Sequence, residues 1–377
     1  MVTGGFARQQ RQRCLSSMRR RRLLVPPILL REHEMKAFAI DAYKSELSLR
    51  NVPDPVAGPG QVVVAIAAAS VNPIDVKLRE GEFKAILPHA MPFILGSDLA
   101  GTVVAVGPGA NRFQIGDAVF ASPNKDRIGT FAERIAIDEA DLALKPPRLS
   151  MVEAAALPLV ALTAWQVLVE RAKLKPGQKI LIHAGSGGVG TVAIQLAKQL
   201  GATVATTAGT DNLALVKSLG ADIVVDYRKE DFAEKLSGYD VVLNTLGGDV
   251  LEKSLAVLKP GGKLISISGP PDLAFARSIG ANAIVQLLMR LLSFKIRRKA
   301  SKRDVSYSFL FMHSDGEQLA QIAKLVEEGT IRPVIDSVFS FAETPAAMAR
   351  VASGRARGKV VIAVTEVLTP DPGADGA

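Results

Sequence analysis

Three glycines in one short stretch are the residues of this sequence with the clearest chemical use. The stretch reads Lys179-Ile-Leu-Ile-His-Ala-Gly-Ser-Gly-Gly-Val-Gly190, and a helical pattern follows it. Gly185 permits a tight turn, Gly187 lets a pyrophosphate approach the backbone, and Gly190 lets a helix pack against the preceding strand. The helix that follows presents free N–H groups to phosphate. The pattern predicts a dinucleotide site formed by Gly185, Ser186, Gly187, Gly188, Val189 and Gly190.

The end of the next strand bears on which dinucleotide is bound. An NAD site usually has a carboxylate there, but this sequence reads Thr206-Thr207-Ala208-Gly209-Thr210. We interpret Asp211 as the N-terminal cap of a helix that begins at Asn212. Because hydroxyls without a carboxylate tolerate a 2′-phosphate, NADPH is the expected cofactor, with Thr207 at its site. Lys217 and Arg228 are candidate phosphate partners whose positions the sequence leaves open.

Strand-like runs and helical patterns alternate after the glycine turn. Further strand-like runs cover 202–207, 222–227, 239–245 and 263–268, with helical patterns at 211–219 and 248–258. This alternation predicts a parallel doubly wound sheet. From 36 to about 145 the pattern differs, because short strands are separated by Pro and Gly turns, which predicts a compact β-rich unit.

Length and composition fit a globular protein with two domains. The chain has 377 residues, of which 48% are hydrophobic and 22% charged. Residues 1–34 contain eight arginines and two glutamates, which account for +6 of the net charge of +9. This concentration at one end, without interleaved aromatic residues, argues against nucleic-acid binding. We interpret 1–34 as a basic extension that precedes a functional start near Met35, and 367–377 as a disordered tail.

The cysteine content and the distribution of apolar residues bear on compartment and membrane contact. The single cysteine, Cys14, excludes an intrachain disulfide and suits a reducing compartment, so a cytoplasmic location is expected. No apolar run reaches the ~18 residues that a transmembrane helix needs. Residues 282–303 are apolar first and strongly basic after, which is compatible with an interfacial membrane helix. Their position after the fifth strand favours a lid or a subunit-interface helix instead.

Five segments, in this order around the glycine turn, resemble one enzyme family. They are Ala69-Ser-Val-Asn-Pro-Ile-Asp-Val-Lys-Leu-Arg-Glu-Gly81, Pro92-Phe-Ile-Leu-Gly-Ser-Asp-Leu-Ala-Gly-Thr-Val-Val104, Val106-Gly-Pro-Gly-Ala-Asn-Arg-Phe-Gln-Ile-Gly-Asp-Ala-Val-Phe120, Ala155-Ala-Leu-Pro-Leu-Val-Ala-Leu-Thr-Ala-Trp165 and Ser353-Gly-Arg-Ala-Arg-Gly-Lys-Val-Val-Ile362. The sequence resembles the medium-chain dehydrogenase/reductase superfamily, and most closely its zinc-independent quinone oxidoreductase branch. The resemblance implies an α/β fold in which a Rossmann doubly wound parallel sheet is inserted in a β-rich, GroES-like (chaperonin-10-like) catalytic domain. The domains would cover 35–156, 157–304 and 305–366, the last returning to the catalytic domain.

The resemblance also implies a type of reaction. Where zinc alcohol dehydrogenases carry His and then Glu, this sequence has Ser97 and Asp98, and it offers only one cysteine and four histidines, His33, His89, His183 and His313. Without a Lewis acid, a quinone or α,β-unsaturated carbonyl is a better hydride acceptor than an unactivated ketone. The expected protein is therefore a homodimeric NADPH-dependent reductase of such small molecules. An enoyl-thioester reductase and a non-catalytic NADPH-binding scaffold are the alternatives.

Candidate catalytic residues follow from the same resemblance. Asn72 matches a position in the hydride-transfer cleft, although an Asn also closes turns before a proline. Thr163 matches a threonine beside the nicotinamide, or else packs within its helix. Lys77 is either a surface cation or a group at the mouth of the substrate site, and water is the default proton source. The other residues expected at the cofactor are Tyr227, Leu246, Gly247, Ser268, Phe311 and Lys359.

Overall fold

The protein was analysed as a computed structural model, which describes residues 34–84 and 87–365. The basic extension, the tail at 367–377, Cys14 and His33 lie outside the described residues, apart from Glu34, with which the first strand begins.

The first part of the chain forms a β-rich domain. Its elements are β1 (Glu34–Ile40), β2 (Ser48–Pro53), β3 (Gln61–Val71), α1 (Pro73–Arg79), β4 (Phe93–Ile94), β5 (Leu99–Val106), β6 (Ala118–Ala121), β7 (Arg134–Asp138), β8 (Leu142–Leu144), α2 (Met151–Ala155) and α3 (Pro158–Trp165). One sheet has three strands in the order β2-β1-β4. In a second sheet β3, β5, β6 and β8 are neighbours in that order, and β7 also pairs with β3. Pro73 begins α1 because proline suits the first turn of a helix, where its missing N–H costs no bond.

The middle part of the chain forms a parallel sheet with helices between its strands. Its elements are β9 (Lys179–Ile182), α4 (Gly188–Gln199), β10 (Thr203–Ala208), α5 (Leu213–Ser218), β11 (Ile223–Asp226), α6 (Phe232–Lys235), β12 (Tyr239–Asn244), α7 (Asp249–Val257), β13 (Leu258–Ser266), α8 (Leu273–Ser278), α9 (Ala283–Leu292), α10 (Phe294–Ser301) and β14 (Ser306–Phe309). The strand order is β11-β10-β9-β12-β13-β14, and all the pairings are parallel. This is the doubly wound order of a dinucleotide-binding fold, which confirms the predicted fold class.

The last part of the chain returns to the first domain. Its elements are α11 (Gly316–Glu327), β15 (Ile335–Ser340), α12 (Thr344–Ala352) and β16 (Lys359–Ala363). β16 pairs with β3, with Val361 opposite Ser70, so the two ends of the chain form one seven-stranded sheet. The catalytic domain is therefore built from both ends, as the resemblance implies.

The predicted boundary at 304 is wrong by one strand. β14 pairs with β13, with Ser306 opposite Lys263, so the nucleotide-binding sheet continues to Phe309. A four-residue strand carries too little periodicity to be recognised from sequence. The predicted strands at 202–207, 222–227, 239–245 and 263–268 correspond to β10, β11, β12 and β13.

Two local predictions also need correction. Asp211 lies inside a short 3₁₀ turn (Thr210–Asn212) and caps nothing; its carboxylate instead accepts a hydrogen bond from the guanidinium of Arg228 at 3.3 Å. The apolar and basic segment at 282–303 is two helices rather than one, because Ser293 ends α9 and starts α10.

The core lies on both faces of the nucleotide-binding sheet and continues into α3. Ile180 and Ile182 of β9 are fully buried, as are Ala193 and Ile194 of α4. Residues 190–197 of α4 are all buried, because the helix packs against α3 as well as against β9, and this fixes where the glycine turn lies.

Candidate active site

A cleft of about 380 Å³ lies where the two domains meet. It is lined by the glycine turn, by α1 and α3 of the catalytic domain, and by the chain after β14. Its walls combine apolar side chains with a few polar groups. Of the residues expected from sequence, the cleft contains Asn72, Lys77, Thr163, Gly187, Gly188, Val189, Gly190, Ser268, Phe311 and Lys359.

The glycine turn has the geometry that a pyrophosphate needs. A Cβ on Gly185 would lie 2.1 Å from the hydroxyl oxygen of Thr206, so only glycine fits there. α4 begins at Gly188, has no side-chain cap and has no acidic residue in its first turn. Its first N–H groups therefore remain available to an anion, and the helix dipole favours one. The residues present fit a dinucleotide.

The end of the chain fixes the glycine turn against the catalytic domain. The backbone N–H of Gly358 donates to the carbonyl of Ser186 at 2.8 Å, and the side chain of Lys359 lies against Gly188. This contact joins the segment before β16 to the turn whose geometry fits a pyrophosphate. The two walls of the cleft are thus connected directly beside the expected phosphate position.

A buried ion pair lies behind the cleft. The ammonium of Lys359 contacts Oδ2 of Asp98 at 3.0 Å and also donates to Oδ1 of Asn72. Asp98 further accepts from Nδ2 of Asn72 at 2.8 Å, from the hydroxyl of Ser70 at 2.8 Å and from the backbone N–H of Leu159 at 2.7 Å. Asp98 is fully buried and Lys359 is 4% exposed. Burial of two charges is tolerated because each has several partners.

A second buried carboxyl contacts the wall of the cleft. The hydroxyl of Ser97, which lines the cleft, donates to Oδ1 of Asp75 at 2.6 Å. The other oxygen of Asp75 accepts the backbone N–H of Asn72 at 2.7 Å. Complete burial raises the pKa of Asp75 to about 7, against the smaller lowering effect of its hydrogen bonds to Ser97 and Asn72. This carboxyl can therefore hold or release a proton near neutral pH.

The three predicted catalytic residues have different environments. Asn72 borders the cleft, but both its side-chain polar atoms are bonded within the buried network around Asp98. The hydroxyl of Thr163 donates to the carbonyl of Leu159 at 2.7 Å, so its packing role is present even though it lines the cleft. Lys77 is half-exposed at the mouth, 3.8 Å from Glu82. Their catalytic roles stay predictions.

The hydroxyl of Thr207 is bonded inside the protein, and the predicted place of this residue at the cofactor stays a prediction. Its side chain is buried, and its hydroxyl oxygen accepts the backbone N–H of Ala184 at 3.1 Å and contacts Nδ1 of His183 at 3.2 Å. Thr206 is likewise buried and donates to the carbonyl of Ile182. These hydroxyls support the glycine turn from beneath and do not face a ligand. Strand alternation alone could not show this, because both faces of β10 are covered.

The remaining cofactor candidates follow the edge of the nucleotide-binding sheet. Ser268 donates to the carbonyl of Thr245 and lines the cleft, while Leu246 and Gly247 are exposed beside it. The ring of Phe311 contacts that of Phe83 across the cleft, with centroids 5.9 Å apart. The ammonium of Lys359 is held in the ion pair, so only its stem borders the cofactor site. Their cofactor contacts stay predictions.

The end of β11 supplies a cation that the sequence left unplaced. Tyr227 is 60% exposed, and its hydroxyl lies 3.3 Å from where a Cβ on Gly209 would be. The Nε of Arg228 lies 3.5 Å from the same point. Asn212 donates to the hydroxyl of Ser186 in the glycine turn at 3.1 Å, and its own Oδ1 has no partner among the described residues. These groups surround the position beyond β10 where a ribose binds in such folds.

Comparisons with known proteins agree with this architecture. Residues 58–147 match the alcohol dehydrogenase GroES-like domain, and residues 219–362 match the zinc-binding dehydrogenase family. A 2-methylene-furan-3-one reductase from Solanum lycopersicum is 37% identical over 345 residues, which are 87% of this chain and 79% of that protein. This chain belongs to the medium-chain dehydrogenase/reductase superfamily.

Other members of the superfamily have similar sequences or structures. An NADPH-dependent alkenal/one oxidoreductase, chloroplastic, from Arabidopsis thaliana is 34% identical over 87% of this chain and 79% of that protein. The structure of the quinone oxidoreductase from Coxiella burnetii superposes with a TM-score of 0.77 at 33% identity, over 88% of this chain and all of that one. The protein is therefore an oxidoreductase of this superfamily, with a fold made for a nicotinamide cofactor.

The cleft residues do not fit the zinc ion that the family description mentions. At the matching positions Ser97 is bonded to a carboxyl, and Asp98 already contacts the ammonium of Lys359. Zinc prefers thiolate and imidazole ligands, and within 34–84 and 87–365 no group of three His, Cys, Asp or Glu side chains could hold a metal.

Sequence reasoning did not anticipate the buried hydrogen bonds that Ser97, Asp75 and Asp98 form beside the cleft. Asp98 directly precedes the apolar strand β5, which is a signal that this acid is buried and needs a partner. It does not reveal that the partner is Lys359, since the two residues are 261 positions apart.

Proposed function

We propose that this protein is an NADPH-dependent reductase that delivers hydride to quinones or α,β-unsaturated carbonyl compounds without a metal ion. The observation that carries the proposal is the hydrogen bond from Ser97, on the cleft wall, to the buried carboxyl of Asp75. An unactivated ketone needs a Lewis acid at its oxygen. A quinone or enone is already electrophilic, so it needs only hydride followed by a proton, and the pair can supply that proton.

The pyrophosphate of the cofactor would be held by backbone rather than by charged side chains. When bound, the nicotinamide supplies hydride. The N–H groups at the start of α4 bind the pyrophosphate, and Gly187 and Gly188 let it approach closely. Thr163, Ser268 and Phe311 line the remaining length of the cleft and orient the ring.

The substrate portion of the cleft suits a flat, apolar electrophile. Ile74, Phe83, Leu87, Ile128 and Met312 contribute to its lining, which offers an apolar surface to a flat ring or chain. Lys77, at the mouth, and Lys125 are lining cations that can meet a polar substituent, whereas Lys359 is held in its ion pair with Asp98. Relatives named for methylene-furanone, alkenal and quinone reduction support this choice of substrate.

Proton delivery follows hydride transfer. The oxyanion or enolate that has accepted the hydride takes the proton of the Ser97 hydroxyl. When Asp75 is neutral, its O–H donates to Oγ of Ser97 across the same 2.6 Å contact and reprotonates it. The Asp75 carboxylate then regains a proton from water, through Ser97, once product leaves the cleft. The charged groups that face Asp75 are Asp98, which directly precedes β5, and Lys359, which begins β16, and these two neutralise each other.

A substrate panel tests the proposal. NADPH oxidation is followed with a quinone, an enone, an enoyl thioester and an aliphatic ketone. We expect turnover of the quinone and the enone and none of the ketone. Preferred turnover of the enoyl thioester would identify the thioester reductase instead, and NADPH binding without any turnover would identify a scaffold.

The pH dependence of the rate should report on Asp75. Because the carboxyl must be protonated to act, kcat should fall as the pH rises through about 7. Asp75→Asn and Ser97→Ala should each lower kcat by about tenfold and remove this pH dependence. The expected loss is below the 10²–10⁴ typical of a general acid because water in the cleft can substitute.

Asn at position 75 can still accept the Asn72 N–H, so the turn before α1 should survive. A purely structural role would lower kcat and leave the pH profile unchanged. That outcome, from stopped-flow rates between pH 5 and 9, would contradict the relay.

Arg228 should decide between the two nicotinamide cofactors. Arg228→Ala should raise the KM for NADPH by roughly 10- to 150-fold, because a charge-assisted hydrogen bond contributes about 1.5–3 kcal/mol. The KM for NADH, which lacks the phosphate, should change little. Lys229→Ala is the matched control, since Lys229 is the neighbouring exposed cation. Equal effects on both cofactors, or tighter binding of NADH than of NADPH by the unmodified protein, would contradict NADPH preference.

A further inference from the structure

Six large apolar side chains form one exposed surface on α9 and the start of α10. They are Ile284, Leu287, Leu288, Leu291, Leu292 and Phe294, and each is more than half exposed. Within α9 their spacing is that of a single helix face. Soluble proteins rarely leave such a contiguous patch open, and patches of this kind usually mark a contact surface. We refer to these six residues as the α9–α10 surface.

The helix is held in place by its other side. Met289 is buried and Val285 packs with it against Phe275 and Phe309 of the nucleotide-binding domain. α9 is therefore anchored to the domain by its buried face, and the α9–α10 surface lies on the opposite, solvent-exposed side.

Positive charge accompanies the apolar residues. Residues 282–303 include seven basic side chains and no acidic one. Lys295 and Lys299 form salt bridges with Glu252. The other five basic residues form no salt bridge within the described part of the chain. They are Arg290, Arg297, Arg298, Lys302 and Arg303.

The helical geometry of α10 puts charge and apolar residues on the same side. Ile296 and Ala300 are buried against the domain. Phe294, Arg297 and Arg298 lie on the opposite side of the same helix and are exposed. The basic groups thus project in the direction of Phe294, as an interfacial helix requires.

We propose that the α9–α10 surface docks this protein on an anionic lipid bilayer. Apolar side chains of such a helix enter the boundary between headgroups and acyl chains, while Arg and Lys contact anionic headgroups. α9 has ten residues and is about 15 Å long, so it lies in the membrane plane. In the described residues no helix has the length and apolar character to cross a bilayer. The proposal does not depend on which reaction the cleft performs.

Charge complementarity favours a lipid surface over a second copy of the chain. A two-fold interface brings the same patch of both copies together. Here that would oppose the five unpaired cations of one copy to those of the other, and like charges across an interface are costly. An anionic bilayer instead supplies negative charge along the whole surface.

Flotation of the full chain tests the proposal. The vesicles are phosphatidylcholine alone, or phosphatidylcholine with one-third phosphatidylglycerol. We expect the protein to float with the anionic vesicles and to remain at the bottom with the neutral ones. Leu287→Ser/Leu291→Ser and Arg297→Glu/Arg298→Glu should each lower the vesicle-bound fraction at least tenfold.

Matched controls keep the rest of the chain constant, including the arginines of residues 1–34. Val56→Ser/Ile115→Ser removes two exposed apolar residues of the catalytic domain, and Lys36→Glu/Lys44→Glu makes the same charge change there. Both should float like the unmodified protein. Melting temperatures within error of the unmodified protein confirm that the variants are folded, which their exposed positions predict.

Three outcomes would overturn the proposal. In the first, the unmodified protein fails to float with anionic vesicles. In the second, all variants and controls float equally, which would assign binding to another part of the chain. In the third, light scattering shows that Leu287→Ser/Leu291→Ser converts a dimer to a monomer without changing flotation. That result would make the α9–α10 surface a subunit interface.

Discussion

Replacing Lys359 by methionine should lower the free energy of unfolding by about 3–5 kcal/mol, the cost of leaving one member of a buried ion pair alone. Asp98 would then stay fully buried with its contact to the ammonium, at 3.0 Å, removed. Asn72 would lose the donor to its Oδ1 at the same time. Because α3 is tied to Asp98 through Leu159, the cleft should be disturbed as well.

Urea denaturation measures the change, with two controls. Lys198→Met removes the cation of an exposed pair, whose Nζ lies 2.8 Å from Asp222, and should cost less than about 1 kcal/mol. The double variant Lys359→Met/Asp98→Asn should recover part of the loss, since it removes the unpaired charge. Equal stability of Lys359→Met and Lys198→Met would refute the role assigned to the buried pair.

Replacing Gly190 by alanine should weaken NADPH binding on the order of 100-fold, the equivalent of one or two charge-assisted hydrogen bonds. The added Cβ would lie 2.4 Å from the carbonyl oxygen of Ala184 and 2.7 Å from Cα of Gly185, and neither backbone atom can move without displacing the turn. The first N–H groups of α4 would then no longer converge on the phosphates.

Fluorescence titration with NADPH gives the dissociation constant. Gly58→Ala is the control, because its Cβ would come no closer than 3.0 Å to the amide oxygen of Gln61 and would touch no backbone atom. Circular dichroism separates lost binding from lost folding. If Gly190→Ala binds NADPH as tightly as the control does, the glycine turn is not the phosphate site.

Much of the fold was predictable because its signals are local. The apolar run before Gly185 and the helical spacing after Gly190 define β9 and α4 without reference to any distant residue. Alternation of strands and helices then fixes a parallel sheet, since parallel strands need crossovers. The short strand β14 was not predicted, because four residues are too few to show a hydrophobic periodicity.

The candidate site was predictable only in part. Its backbone component, the glycine turn, depends on residue types that serve one geometric purpose. The roles of side chains were less predictable. Thr207 has the expected hydroxyl, but this hydroxyl contacts His183 and Ala184 inside the protein. A residue type indicates which bonds a side chain can form, and the packing around it determines which ones it does form.

By itself, the sequence determined the family and the order of the two domains, and it predicted a dinucleotide site at the glycine turn, because each depends on local patterns or on motifs in a fixed order. Only the tertiary structure decided that Lys359 meets Asp98 and that Asp75 is buried behind Ser97. Burial and contacts between distant residues set the energy of a charge or a proton. Neither can be read from the neighbours of a residue along the chain, so the chemistry assigned to this cleft appears only when the two ends of the chain meet in one sheet.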